Sequence, residues 1–164
     1  MPKLGQKITT YLWFDDQALA AAKFYISLFP RSRIVRVTRD LMAGSRPKGV
    51  PLLVEFDLAG QRFIALNGGP SYEFTEAISL FVSCESQAEV DRLWSKLTSR
   101  GGQEGPCGWL KDRYGLSWQI VPRAFMKMLE SKDRKKANRG MDAMLRMKKL
   151  DLAVLKRAFE GRGS

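Results

Sequence analysis

The residues best placed to do chemistry in this chain are hydroxyls, amides and aromatic rings, because histidine is absent from all 164 residues. Cys107 carries a nucleophile's atom, but attack requires a thiolate, and no imidazole is available to take the proton. Packing is the plainer role for Cys107, and plainer still for Cys84. What remains is a set able to orient a ligand. Strand alternation from Thr9 turns Tyr11 and Trp13 to one face, and alternation from Gln119 brings Ser117 with it. Asn67-Gly68-Gly69 reads either as an amide aimed at a ligand, with glycines permitting close approach, or as a plain turn. Thr9, Tyr11, Trp13, Asn67, Ser79, Cys107 and Gln119 therefore form the expected ligand-binding set. Hydroxyl, amide and ring contacts without a strong base suit an anionic or aromatic small molecule. The competing role for Tyr11 and Trp13 is to fill a core. No catalytic residue is assigned, and Asp112 with Arg113 reads as a turn-stabilising pair before it reads as a catalytic one.

The elements that must position these groups come in two rounds. Residues 8–14 are β-branched and aromatic and end at Asp15-Asp16, which can cap a following helix. That helix spans residues 17–29, with Ala20, Phe24 and Leu28 on one stripe and Ala21, Tyr25 and Phe29 beside it, and Pro30 closes it. A strand over residues 32–39 follows, then a polar loop over 42–49, then a hairpin of 50–58 and 61–67 turning at Ala59-Gly60. The second round opens with a strand at residues 77–82 and a capping box of Ser86 and Glu89. Val90, Leu93, Trp94 and Leu97 form the inner stripe of its helix, Gly101-Gly102 ends it, and strands at 108–111 and 116–121 flank a turn at Tyr114-Gly115. Strand and helix recur together at one spacing, which indicates two like modules.

Beyond Pro122 the pattern becomes helical. Phe125, Met128 and Leu129 mark one short segment, and Met141, Met144, Leu145, Leu152, Leu155 and Phe159 mark a later face expected to dock on the body. Residues 123–164 hold 13 basic and 5 acidic residues, so this tail carries most of the net charge of +11. Its densest run, Lys132, Arg134, Lys135, Lys136 and Arg139, could neutralise nucleic-acid phosphates. A solvated connection between helices is favoured, because no groove-reading helix or stacking aromatics accompany the run. No apolar run of about 18 residues exists, no apolar signal region precedes the first strand, and two cysteines make no disulfide framework or zinc knuckle. A cytoplasmic protein with reduced thiols and no membrane contact is expected.

Three blocks carry a resemblance: Trp13-Phe14-Asp15 with Phe24-Tyr25-Ile26-Ser27-Leu28-Phe29-Pro30, then Phe63-Ile64-Ala65-Leu66-Asn67-Gly68-Gly69-Pro70, then the run from Cys107-Gly108-Trp109 through Tyr114-Gly115-Leu116 to Gln119-Ile120-Val121-Pro122. They resemble the PhnB-like family, also labelled 3-demethylubiquinone 3-methyltransferase-like, of the glyoxalase/bleomycin-resistance/extradiol-dioxygenase (vicinal oxygen chelate) superfamily. The resemblance covers residues 7–122, and a tail like residues 143–151 recurs in the family. It implies an α+β fold in which two βαβββ-type modules form a curved mixed sheet around a cleft. Residues 1–122 would be the paired domain, with halves at about 7–70 and 77–122, and residues 123–164 a basic helical extension packed on it. It also implies a homodimer, which would cover open sheet edges.

In the wider superfamily four inward side chains bind a divalent metal, and the resemblance places those positions at Thr9, Ala77, Gln119 and either Ala65 or Asn67. None is an imidazole or a carboxylate, so no metal and no cofactor is expected. The methyltransferase label is taken as a family name, since no glycine-rich strand-to-helix turn followed by an acidic residue is present. The expected function is a metal-free pocket protein for a small molecule. The alternatives are a nucleic-acid-associated binder using the tail and a metal-dependent lyase or dioxygenase as in distant relatives.

Overall fold

A computed structural model describes residues 6–39 and 49–162. Of the expected polar loop at 42–49, all but Gly49 lies outside the described residues, as do the first five and last two positions of the chain. The chain divides into two compact units, residues 1–73 and 74–164.

The first unit runs β1 (Thr10–Phe14), α1 (Ala18–Ile26), β2 (Arg33–Thr38), β3 (Leu53–Leu58) and β4 (Gln61–Asn67). Its four-stranded sheet has the order β1-β4-β3-β2, with β1 parallel to β4 and the other pairs antiparallel. The hairpin between β3 and β4 turns at Ala59 and Gly60, whose φ values of 50° and 87° are the left-handed pair that matches strand twist in a two-residue turn. One face of the sheet, with Leu12, Phe14, Val54, Phe56, Leu58, Phe63 and Ala65, is buried. Against it lies α1, with Ala18, Ala21, Ala22 and Tyr25 inward. The small alanines let the helix backbone approach closely, and each large apolar side chain fully buried here is worth about 1.5–3 kcal/mol. The helix is turned by one position from the stripe expected in the sequence, because Ala20 is exposed and Ala22 buried.

The second unit repeats the plan: β5 (Ser79–Cys84), α2 (Gln87–Thr98), β6 (Gln103–Glu104), β7 (Trp109–Lys111) and β8 (Ser117–Pro122), with sheet order β5-β8-β7-β6. Again the outer pair, β5 with β8, is parallel. The inner face of α2 buries Val90, Leu93, Trp94 and Leu97, and the sheet supplies Leu110, Trp118 and Ile120. The tight turn before β8 is held by buried Asp112: Oδ1 accepts from the Tyr114 and Leu116 amides, and Oδ2 accepts from Trp118 Nε1 at 2.9 Å. Its role is thus structural.

Three helices complete this unit: α3 (Arg123–Leu129), α4 (Arg134–Met144) and α5 (Leu152–Glu160). Val121 at the end of β8 clusters with Phe125, Leu150 and Leu155, and Met128, Leu129, Met144 and Leu152 pack around them. Met141 and Leu145, expected on the docking face, are exposed. Asp133 and Asp151 start α4 and α5 by accepting the amides of Lys136 and Val154. The segment between these helices is fixed to the sheet side, since the Cys107 and Gly108 amides donate to the Met147 and Lys148 carbonyls at 2.8 Å. The tail is therefore part of the second unit.

Candidate functional site

In each sheet the period of two sends alternate side chains away from the helix. On the second sheet this outer face carries Ser79 and Phe81 from β5, Ser117 and Gln119 from β8, and Trp109 and Lys111 from β7, with Ser79 opposite Ser117 and Trp109 opposite Gln119. Gln119 Nε2 donates to Ser79 Oγ at 2.9 Å, joining two residues of the expected set. Ser117 is 1% exposed, and its Oγ has no hydrogen-bond partner among the described residues. A native protein rarely leaves a buried hydroxyl unpaired, because the group loses its water without compensation. Ser117 lines a cavity of about 400 Å³ with Trp109, Lys111, Glu76, Gln103 and Gly105. At its edge Lys111 Nζ lies 2.6 Å from Glu76, and that hydrogen bond, aided by one from backbone, holds the Glu76 carboxyl below the usual glutamate value.

The first sheet's outer face is organised differently. Arg62 on β4 lies 2.7 Å from Asp57 and 3.6 Å from Glu55 on β3, while Arg33 and Arg36 on β2 pair with the same two carboxylates. Tyr11 stands on this face 53% exposed, which excludes the core role for it. Trp13 is half-buried, donates from Nε1 to the Gly69 carbonyl at 2.8 Å and meets the Tyr72 ring edge-on at 4.9 Å. Its indole lies over Gly68, where an added Cβ would come within 2.3 Å of the ring. The glycine at 68 thus makes room for a side chain of this unit rather than for a ligand. Thr9 precedes β1, partly buried.

Two residues of the expected set lie elsewhere in the structure. Asn67 is buried on the helix side of its sheet: Oδ1 accepts the Ala18 amide at 2.8 Å and Nδ2 donates to the Pro51 carbonyl at 2.9 Å. Asn67, and not Asp15 or Asp16, therefore holds the start of α1, whose flanking Gln17 makes no side-chain cap. Cys107 is outside the cavity lining, in a left-handed backbone conformation at φ 57° whose amide is tied to Met147. Cys84 is buried, and burial pushes its thiol up to about 12, so it stays protonated and unreactive at neutral pH. Ser117, Trp109 and the Lys111–Glu76 pair were not in the expected set. Ser117 was within reach as the alternation partner of Gln119, whereas Glu76 reaches Lys111 from outside any strand.

The family model for 3-demethylubiquinone-9 3-methyltransferase matches residues 6–121. The solved structure of the PhnB protein from Bacillus cereus is 36% identical over 71% of this chain and 99% of that one, with a TM-score of 0.65. The chain belongs to this PhnB-like family. A protein from Pseudomonas aeruginosa, 19% identical over 68% of this chain and 92% of its own, has the same fold at a TM-score of 0.55. No curated protein is similar enough to be matched. As in a glyoxalase-type fold, the family's two modules here are four-stranded mixed sheets with a helix on one face. Such a sheet is not the doubly wound parallel sheet that cradles a nucleotide cofactor at its switch point.

The metal implied by the wider superfamily does not fit this PhnB-like chain. Of the positions the resemblance assigns to ligands, Ala77 and Ala65 have no donor atom, the Asn67 amide is bonded on both sides within the core, and Thr9 and Gln119, whose Nε2 donates to Ser79, bring only an uncharged hydroxyl and an uncharged amide oxygen. No three His, Cys, Asp or Glu side chains converge among the described residues. A neutral amide and a hydroxyl offer a divalent cation no compensating charge. What this face can do is hold a ligand by hydrogen bonds from hydroxyl and amide, by an ammonium at the edge and by the Trp109 ring. No helix among the described residues is long and apolar enough to cross a membrane.

Proposed function

We propose that this PhnB-like protein binds a small anionic or aromatic molecule on the outer face of its second sheet, without a metal. The observation that carries this reading is the unpaired, buried hydroxyl of Ser117, a residue in the wall of the cavity of about 400 Å³. That volume lies within the range of small-molecule sites, about 300–1,000 Å³. In this reading Ser117 bonds a polar atom of the ligand, Gln119 and Ser79 flank it, Trp109 covers an apolar or aromatic part, and Lys111 balances negative charge. In the first unit, taken by itself, Tyr11, Thr9 and Trp13 stay proposed as ligand contacts, with the Tyr11 ring exposed. Whether the bound molecule is transformed depends on its own reactive group, since the face presents no strong base. We further infer a cytoplasmic homodimer: both cysteines are free thiols, and β1 and β5 each end their sheet as edge strands near exposed Tyr11, Ile78 and Phe81.

The test is a thermal-shift screen of small aromatic acids and their neutral analogues. A ligand at 100 times its dissociation constant adds about 2.7 kcal/mol of stability, which is readily measured. Ser117→Ala should abolish the response while leaving the free protein as stable or about 1 kcal/mol more so, because an unpaired buried hydroxyl has been removed. Trp109→Ala should abolish it as well. A ligand response that survives both substitutions would place binding elsewhere and sink the reading.

A further inference from the structure

We propose that the groove between α4 and α5 is a second binding site, one that takes a small phosphate monoester carried on an apolar body. It lies past residue 121, where the family match ends, and is independent of the sheet-face reading. Arg139, Asp142, Ala143 and Arg146 come from the α4 side and Val154, Arg157, Ala158 and Gly161 from the α5 side, around a cavity of about 540 Å³. Both sets recur every three or four residues, so each helix turns a single face to the groove. Ala143, Met147, Val154 and Ala158 are partly buried and apolar, whereas Arg139, Arg146, Arg157 and Arg162 are exposed. Four guanidiniums share the lining with one carboxylate, Asp142.

None of these arginines has an acidic partner among the described residues. Of the neighbouring acids, Glu160 pairs with Lys136 at 3.0 Å and Asp133 and Asp151 accept the amides that start α4 and α5, which leaves Asp142 alone against the four guanidiniums, with its backbone carbonyl accepting from Arg146 Nε at 3.1 Å. Arg139 is held in place, with Nε donating to the Ala158 carbonyl at 3.1 Å and Nη2 to the Phe159 carbonyl at 2.8 Å. Gly161 allows this, since its φ is 73° and an added Cβ would stand 3.3 Å from the guanidinium. A donor fixed before the ligand arrives loses little freedom on binding. The guanidinium fork matches phosphate oxygens two at a time, and the excess of positive charge suits a dianion. The apolar floor then has a ring or alkyl group to cover, which inorganic phosphate lacks.

The probe is 1-naphthyl phosphate, titrated into the full chain and followed by its fluorescence, with inorganic phosphate and 1-naphthol as its two halves. It should bind at least about tenfold more tightly than either half, and the double variant Arg146→Gln with Arg157→Gln should weaken it by about tenfold or more, through loss of charge-assisted bonds. Both side chains are exposed, so circular dichroism and melting temperature should not move. The titrations are repeated in the Ser117→Ala variant, whose sheet-face site is disabled, so that the binding seen there reports the groove alone and failure of the two sites stays distinguishable. Wild-type affinity in the double arginine variant overturns the proposal. So does an affinity that is present in the wild type and absent from the Ser117→Ala variant with its arginines intact, or an arginine-dependent affinity for single-stranded oligonucleotide with none for naphthyl phosphate.

Discussion

In the first unit β4 sends Asn67 across to hold the start of α1, whereas in the second α2 is started by its own turn, with Ser86 Oγ accepting the Glu89 amide and Glu89 accepting the Glu85 amide. The outer faces diverge in the same way. The first carries three arginines bonded to Glu55 and Asp57, and an indole closed over Gly68. The second carries a hydroxyl with no partner beside a cavity. Two copies of one topology thus differ in how their outer faces are completed: the first pairs its charged groups internally, while the second leaves the Ser117 hydroxyl without a partner among the described residues. A face whose bonds are complete gains little from a ligand, and an incomplete one gains a bond.

The largest effect should come from the long-range cap. Asn67→Ala leaves the buried Ala18 amide and Pro51 carbonyl unpaired, each costing about 1–3 kcal/mol, so a loss of about 3 kcal/mol is expected. Ser86→Ala, at an exposed local cap, should cost about 1 kcal/mol. Urea unfolding of both variants tests the contrast directly. Equal losses would show that Asn67 is no more than an ordinary cap, and the distinction between the units would lose its first support. Gly68→Ala should fall between them, at about 2 kcal/mol, because the new methyl evicts the Trp13 indole and breaks its bond to Gly69. Tryptophan emission should shift to the red in that variant, and a Trp13→Phe background should erase the shift. An unshifted spectrum would mean that the indole is not seated as described.

The architecture was legible because it rests on local signals that agree. The Ala59-Gly60 hairpin, the Ser86–Glu89 box and the stripe of Val90, Leu93, Trp94 and Leu97 all lie within a few residues of what they determine. The repeat of the first module in the second came through for the same reason. Site residues were legible only as far as strand alternation reaches: Gln119 and Ser79 do meet, and Ser117 shares their face. The capping role of Asn67 was not legible because its partners, Ala18 and Pro51, are distant in the chain, and the same Asn-Gly-Gly pattern serves a turn, a ligand contact or a cap equally well. The Lys111–Glu76 pair and the arginine groove depend on three-dimensional neighbours that no period announces.

The smallest predicted effect concerns pH, and it sharpens the contrast between the two outer faces. The Asp57 carboxyl is held below its ordinary value of 3.8, chiefly by the hydrogen bond from Arg62 and further by Arg33, against an opposing contribution from burial. With the folded value below the unfolded one, the unfolded chain binds the proton more readily as acid is added. The stabilisation is therefore complete above about pH 4 and is lost as pH falls through the lowered folded value. Side chains of Arg62 and Asp57 are 13% and 17% exposed, so this pair is screened by salt less than the second unit's Lys111–Glu76, where the carboxylate side chain is 62% exposed. Asp57→Asn should narrow the difference in urea midpoint between pH 7 and pH 3, whereas Glu76→Gln should leave that difference nearly as it is. If Glu76→Gln narrows it as much as Asp57→Asn, the ionic bonds of the two outer faces are equivalent, and the contrast between the two faces must rest on the Ser117 hydroxyl alone.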